Sequence, residues 1–309
     1  MLKYIFILLL IPTLSFAEEI RLMTWNVFML PKPIKNSHQK VRSEYIGEYL
    51  WSSDYDVIFL QEAFSGGFRK TVNKHLMGRY HYTSRLKKKK VIYPFMNPGL
   101  VAYSKYPMKD IDHVYFDKCG KADCHSSKGA HLMEIELPSG KQIQIANTHM
   151  QSGGQEKYRE IRKRQLEQIQ EMMKRNKKPG VPQLLVGDLN VDAIKGNEFS
   201  STLDALGMNS VGETFQPLFA KDDSDTDSES NEKKPLSERI SDFFSAGFAA
   251  DCIKEQGEAN HKLLDHVLYL DLDQKMKFTS DIIGNPEFNL KGKSCPLSDH
   301  KPRIVTIEI

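Results

Sequence analysis

An α/β fold, two packed sheets flanked by helices, is predicted by three features of this sequence. Short continuous apolar runs, such as Val57-Ile58-Phe59-Leu60, have the length and composition of buried strands. A long charged stretch, Gln155 to Arg175, carries Ile161, Leu166, Ile169, Met172 and Met173 at helical spacing. Turn residues separate the runs, and no segment repeats. Helices interspersed among strands bury their apolar faces by layering against sheets. At 309 residues the chain is long enough to build a full core.

Lys3, the apolar run Tyr4 to Ile11, Pro12 and the small residues Ser15 and Ala17 stand in the order of an export signal. The run is too short for a transmembrane helix, which needs roughly 20 apolar residues. Cleavage after Ala17 is expected, leaving residues 18–309 as one domain, secreted or periplasmic.

The alternation from Ile20 to Val27 predicts a strand that ends near Asn26. Val41 to Leu50 has helical spacing, with Val41, Tyr45, Ile46, Tyr49 and Leu50 on one side. The strand Val57 to Leu60 runs into Gln61-Glu62, and Leu100 to Ser104 is a further strand. His131 to Leu137 and Lys141 to Met150 flank Pro138-Ser139-Gly140, a hairpin signature. Gln183 to Val186 delivers Gly187-Asp188-Leu189-Asn190. Asp222 to Lys234 is acidic and poor in apolar residues, and is expected to be a mobile surface loop. Leu263 to Leu270 and Arg303 to Ile309 complete the strands.

A formal net charge of +3 does not mark a nucleic-acid binder, and no nucleic-acid partner is expected. The basic residues are uneven: Arg85-Leu86-Lys87-Lys88-Lys89-Lys90 is a local cationic cluster. Near an anionic membrane each such side chain contributes roughly 1 kcal/mol, while in water the same run is a solvated loop. Export implies an oxidising compartment, where the four cysteines favour disulfides. Of the three possible pairings, Cys119 with Cys124 and Cys252 with Cys295 is favoured.

Polar residues recur where the apolar runs end: Asn26, Glu62, His149, Asp188, Asn190, Asp265, Asp299 and His300. Each alone is an ordinary turn residue or cap. Their order is distinctive: Trp-Asn, Gln-Glu, Thr-His, Gly-Asp-Leu-Asn, Leu-Asp, Ser-Asp-His. In this order the chain resembles the exonuclease/endonuclease/phosphatase superfamily from Met23 to Pro302. The resemblance implies a four-layered α/β/β/α sandwich and metal-assisted hydrolysis of a phosphoester.

That chemistry suits these residue types. A phosphodiester is anionic and repels hydroxide, and a divalent cation offsets the charge. Mg²⁺ takes hard oxygen ligands and keeps several waters, so Glu62, with Asn26 beside it and Asp299 in the same cluster, is the expected ligand set. Mn²⁺ or Co²⁺ could substitute. His300 is the candidate base for the attacking water. The resemblance pairs it with Asp265, which would fix its tautomer. His149 and Asn190 would donate to phosphoryl oxygens. Asp188 would either position the water or assist the leaving group.

Within the superfamily, several stretches resemble bacterial neutral sphingomyelinases: Pro98 to Pro107, Phe116 to Gly120 followed by Ser126-Ser127-Lys128-Gly129, Thr148 to Gln151, and Ile161 to Ile169. This implies Mg²⁺-dependent cleavage of membrane sphingomyelin to ceramide and phosphocholine by a monomer bound peripherally to the surface, with Lys128 near the lipid phosphate. A secreted nuclease or another phosphodiesterase on the same scaffold is the alternative. Two departures stand out. Asn97 occupies the place where the resemblance puts an acid that would orient His149. The segment Phe288 to Leu297 lacks the Trp of a membrane-entering hairpin, so Phe288, Leu290 and Leu297 are expected to give only a modest apolar tip.

Overall fold

The computed structural model describes residues 18–32, 34–194, 197–211, 264–270, 276–290 and 292–309. The segment 1–17 expected to be an export signal, the acidic stretch 222–234 and Cys252 lie outside the described residues.

The first sheet begins with β1 (Glu19–Asn26), pairs it in parallel with β2 (Val57–Gln61), and continues through β4 (Val101–Ser104) to β3 (Tyr82–Arg85) at one edge. The helices α1 (Gln39–Ser52) and α2 (Gly66–Leu76) lie between β1 and β3 in sequence. The second sheet runs from β5 (Met108–Tyr115) through the hairpin β6 (Gly129–Glu136) and β7 (Gln142–His149) to β8 (Gln183–Asp188). The crossover from β7 to the parallel strand β8 is α3 (Glu156–Arg175), and α4 (Glu198–Leu206) follows β8. β9 (Asn209–Ser210) and β10 (Asp265–Tyr269) finish this sheet. The chain then returns to the first sheet as β11 (Lys277–Ile282), adds a separate hairpin of β12 (Glu287–Leu290) and β13 (Lys293–Pro296), and ends in β14 (Arg303–Glu308), antiparallel to β1.

Strand periodicity sorts the side chains into layers. Ile20, Leu22, Val57 and Phe59 of the first sheet meet Ile143, Ile145, Leu184, Val186 and Val267 of the second in a shared apolar core. Met23, Trp25, Ile58 and Leu60 point the other way, onto α1 and α2. Ala146, Leu185 and Leu268 pack against Leu166, Ile169 and Met172 of α3 and Leu206 of α4. The order is helix, sheet, sheet, helix, the four-layered sandwich expected from the sequence.

The same alternation positions the polar strand ends. Asn26, His149, Asp188 and Asp265 keep the inward phase of their strands, so they emerge where the apolar core stops. Register sets them level: Asn26 opposes Gln61, and His149 and Asp265 both oppose Asp188. Beneath them Gln61 Nε2 bridges Thr24 Oγ1 (3.0 Å) and Asn147 Oδ1 (2.8 Å), a buried polar link between the two sheets.

Two expectations are corrected. On α1 the buried face is Gln39, Arg42, Ser43, Ile46, Gly47 and Leu50, while Val41 and Tyr45 are exposed. Arg42 turns the helix: its guanidinium donates to the carbonyls of Val27, Phe28 and Leu297, so a charged residue occupies the inner stripe. In the hairpin, Phe288 and Leu297 are buried and Leu290 is partly buried against the α1 layer, so they form no apolar tip. A disulfide joins Cys119 and Cys124, as expected. The expected partner of Cys295, Cys252, is outside the described residues.

Candidate active site

Each functional side chain is aimed by a local device. Glu62 follows β2 in left-handed backbone (φ 54°), and Asn190 follows β8 in the same region (φ 53°). Non-glycine residues pay roughly 1–3 kcal/mol for such conformations, which persist where surroundings fix them. Gly187 has φ 127°, and a Cβ there would sit 2.1 Å from the Thr148 carbonyl oxygen. Only glycine lets β8 approach β7 closely enough to set Asp188 beside His149. The turn carrying Asp299 and His300 is tied to β1: Ser298 Oγ donates to the Asn26 carbonyl (2.6 Å) and Trp25 Nε1 to the His300 carbonyl (2.9 Å).

The centre is a buried acid and imidazole cluster. His300 Nδ1 lies 2.6 Å from Asp265 Oδ2, and its Nε2 lies 3.8 Å from Asp188 Oδ2. Burial disfavours the His300 cation, but the charges of Asp265 and Asp188, the Asp265 hydrogen bond and Asp299 outweigh it and hold the pKa well above the ordinary value. On the other side, His149 Nε2 lies 3.1 Å from Lys128 Nζ, 3.5 Å from Asp188 Oδ2 and 3.9 Å from Glu62 Oε1. Burial and the Lys128 ammonium push His149 down to about 3, so its imidazole is neutral. With Nε2 accepting from the ammonium, the imidazole proton belongs on Nδ1.

Asn26 presents its amide Nδ2 to Glu62 Oε1 (3.1 Å) and Asp188 Oδ2 (3.0 Å), while its Oδ1 accepts from Phe28 N–H (3.1 Å). The ligand oxygen expected of Asn26 therefore faces the backbone, and the side chain instead holds two carboxylates together. Asn190 Nδ2 donates to the Met150 carbonyl (3.2 Å), and its backbone N–H donates to Asp188 Oδ1 (2.9 Å).

The observations fit a divalent cation at Glu62 and Asp299. Burial, with the Asp299 charge adding to it, pushes Glu62 up to about 7. Its Oε2 is buried with no hydrogen-bond partner among the described residues. Hard oxygen donors crowded this way suit Mg²⁺. Asp188, Asp265 and His300 also bring ligand atoms within 4.8 Å of one another. There the His300–Asp265 hydrogen bond already uses two of the three groups.

All the residues predicted from the sequence thus gather at one end of the sandwich. Lys128 is among them, its ammonium also bonding the Met150 carbonyl (2.7 Å) and Asp123 Oδ1 (3.1 Å). Sequence reasoning missed Asp123. Its signal was available, since it lies inside the short Cys119–Cys124 loop that steadies it. Asn97 does not approach His149 as an orienting group. It caps a turn, bonding the Phe64 carbonyl and the Gly99 N–H, and His149 Nδ1 is buried with no partner among the described residues.

A phospholipase C from Staphylococcus aureus is 30% identical over 232 residues, 69% of this chain and 67% of the relative. A sphingomyelinase C from Leptospira interrogans is 32% identical over 210 residues, 62% of this chain but only 37% of that protein. The crystal structure of a beta toxin from Staphylococcus aureus with bound magnesium ions shares the fold, with TM-score 0.69 at 21% identity over 93% of this chain and 99% of that one. The model of the Endonuclease/Exonuclease/phosphatase family matches residues 23–269, spanning every strand that ends in the acid cluster except the last, and the chain belongs to that family.

Proposed function

We propose that this phosphodiester hydrolase is an exported, Mg²⁺-dependent sphingomyelinase that cleaves sphingomyelin to ceramide and phosphocholine. The observation that carries the reading is the His300–Asp265 pair, 2.6 Å apart, with the half-buried Glu62 carboxylate and the His149-bound Lys128 ammonium in the same cluster. The names of the relatives support the lipid substrate.

Glu62 and Asp299 would hold the cation, and Mn²⁺ or Co²⁺ would suit the same oxygens. When bound, the ion supplies charge neutralisation at the phosphoryl oxygens. His300 acts in its neutral form, populated as pH rises through its raised pKa. Its Nε2 then takes the proton of the attacking water, while Asp265 fixes the proton on Nδ1 and stabilises the resulting imidazolium. The bond from phosphorus to the ceramide oxygen breaks as the bond from water to phosphorus forms. Asn190 donates toward the phosphoryl oxygens, and the Lys128 ammonium, its N–H groups spent on His149, Met150 and Asp123, adds its positive charge to the same wall. Neutral His149 occupies the same wall, where its Nε2 holds the Lys128 ammonium in place. Asp188, between the two imidazoles, orients the water or serves the departing alkoxide. Asn26 positions Glu62 and Asp188. One catalytic unit acting as a monomer suffices for this scheme.

The test is a parallel assay of sphingomyelin vesicles and plasmid DNA, each with Mg²⁺ and with chelator. Mg²⁺-dependent phosphocholine release with intact DNA supports the proposal. Nicked DNA with intact sphingomyelin overturns it in favour of a nuclease on the same scaffold.

A further inference from the structure

The loop between β3 and β4 presents a surface that the reaction does not use. After Arg85 the chain runs through Lys87, Lys88, Lys89 and Lys90, then through Val91, Ile92, Tyr93 and Phe95. Ile92 is 96% exposed, Phe95 57%, Tyr93 54% and Val91 42%. Single exposed apolar residues are ordinary, but a contiguous run of large ones beside a run of lysines is not. The apolar residues are also held. Tyr93 and Phe95 pack on His125, with ring centroids 5.9 and 5.3 Å away, and Tyr93 Oη is 3.3 Å from His125 Nδ1.

The cations beside them are uncompensated. Arg69, Arg85, Lys87 and Lys88 line a cavity of about 170 Å³ with no acidic residue in its wall. Among the described residues no ion pair includes any of these four, or Lys89 or Lys90. Burial, with the charge of Arg85 beside it, lowers the Arg69 pKa, as expected where cations crowd without a counter-charge.

This surface is wired to the candidate active site. Met96 bridges to Ser126, and Ser127 N–H and Oγ both bond the Met96 carbonyl. The next residue is Lys128, whose ammonium sits against His149. From the other side, Arg69 donates to the carbonyls of Ala63 and Phe64, immediately after Glu62.

We propose that the 87–95 loop is a docking surface for bilayers that carry anionic phospholipid, with Ile92, Tyr93 and Phe95 entering the interface and the Arg69, Arg85, Lys87 and Lys88 cavity facing lipid phosphates. Apolar insertion and electrostatic attraction add in this geometry, as in other interfacial anchors. It assigns the membrane contact to this loop, whereas the 287–296 hairpin turns its apolar side inward. The inference rests on reading the substrate as a membrane lipid, and its test is independent of turnover.

The experiment is cosedimentation of the full chain with vesicles that contain no sphingomyelin, either phosphatidylcholine alone or phosphatidylcholine with phosphatidylserine. Two variants are compared with wild type: Ile92→Ser with Tyr93→Ser and Phe95→Ser, and Lys87→Ser with Lys88→Ser, Lys89→Ser and Lys90→Ser. Wild type should favour the anionic vesicles, and the lysine variant should lose on the order of a thousandfold of that partitioning. The apolar variant should lose binding to both vesicle types. Both should hydrolyse a water-soluble phosphodiester as wild type does, which shows that they are folded. Wild-type binding by either variant would overturn the proposal, as would equal binding of wild type to neutral and anionic vesicles. So would lysine-dependent capture of duplex DNA without vesicle binding. Docking that holds while sphingomyelin stays intact would support the surface and sink the substrate reading alone.

Discussion

A carboxylate stripped of water and set beside another carboxylate gives up its charge unless a cation joins it. Glu62 is in that position, and its pKa of about 7 sets two expectations. Metal and proton compete for it, so Mg²⁺ affinity should fall as pH drops through 7, with proton uptake on metal release, measurable by calorimetry in buffers of different ionisation enthalpy. Metal-free stability should move the other way. Between the ordinary glutamate value and about 7 the folded state holds a proton that the unfolded chain has lost, so stability falls as pH rises through this window, by about 3 kcal/mol at most. His300 has the same sign: its raised pKa contributes stability fully present below the ordinary histidine value and lost as pH rises through the folded value. His149, pushed down to about 3, has the opposite sign, but its contribution is constant above the ordinary histidine value. Urea unfolding with chelator should therefore show a weaker protein at pH 8 than at about pH 6.5, and Mg²⁺ should narrow the gap. For the base, Asp265→Asn should cost roughly 10³–10⁴ in kcat and move the acid limb of the rate profile to lower pH, because His300 loses its raising charge. Most of this cluster was legible in the sequence, because Asn26, Glu62, His149, Asp188, Asp265 and His300 each end or follow an apolar run. The direction of a planar amide is not written in such a pattern, so Asn26 read as a ligand and is found holding Glu62 to Asp188. Nor can a pattern show that Asn97 spends its hydrogen bonds on a turn.

At the scale of elements, the same contrast separates α3 from α1. On α3 Leu166, Ile169, Met172 and Met173 are inward as their spacing implies, while Ile161 is only half-buried and Arg162 and Gln165 are buried on the same face. On α1 Ile46 and Leu50 are inward as expected, but Arg42 and Gln39 join them by bonding loop carbonyls rather than water, and Val41 and Tyr45 are turned out. The helix α2 was missed, since its Gly66-Gly67 start reads as a loop, although Ser65 Oγ caps it through Phe68 N–H. Close approach of elements also has a residue-level cost. Gly187→Ala should destabilise the fold by roughly 2–4 kcal/mol, since the new methyl meets the β7 backbone and the backbone angle strains it; chemical denaturation measures this. Opening the Cys119–Cys124 loop by Cys124→Ser should cost about 2 kcal/mol and loosen Asp123 from Lys128, with a rise in KM larger than the fall in kcat.

For the whole molecule, layering explains why one end of the sandwich carries everything. Two sheets that share an apolar core must end it somewhere, and at this end both sheets finish in polar residues of inward phase. The sequence alone could announce two sheets and flanking helices. It could not say which edges meet, because β14 and β11 join the first sheet from the far end of the chain, a long-range pairing with no local signature. The β14–β1 pairing brings His300 to the end of the first sheet, and the β10–β8 pairing sets Asp265 opposite Asp188. That convergence makes the central claim testable in one reaction. The measurement is phosphorus NMR of sphingomyelin incubated with the protein and Mg²⁺ in oxygen-18-enriched water. The expected product is phosphocholine bearing the heavy oxygen on phosphorus, its formation abolished by chelator and by His300→Ala. Phosphocholine without the label, or label-bearing product that persists in the variant, would contradict water attack promoted by His300, and unaltered sphingomyelin would contradict the substrate.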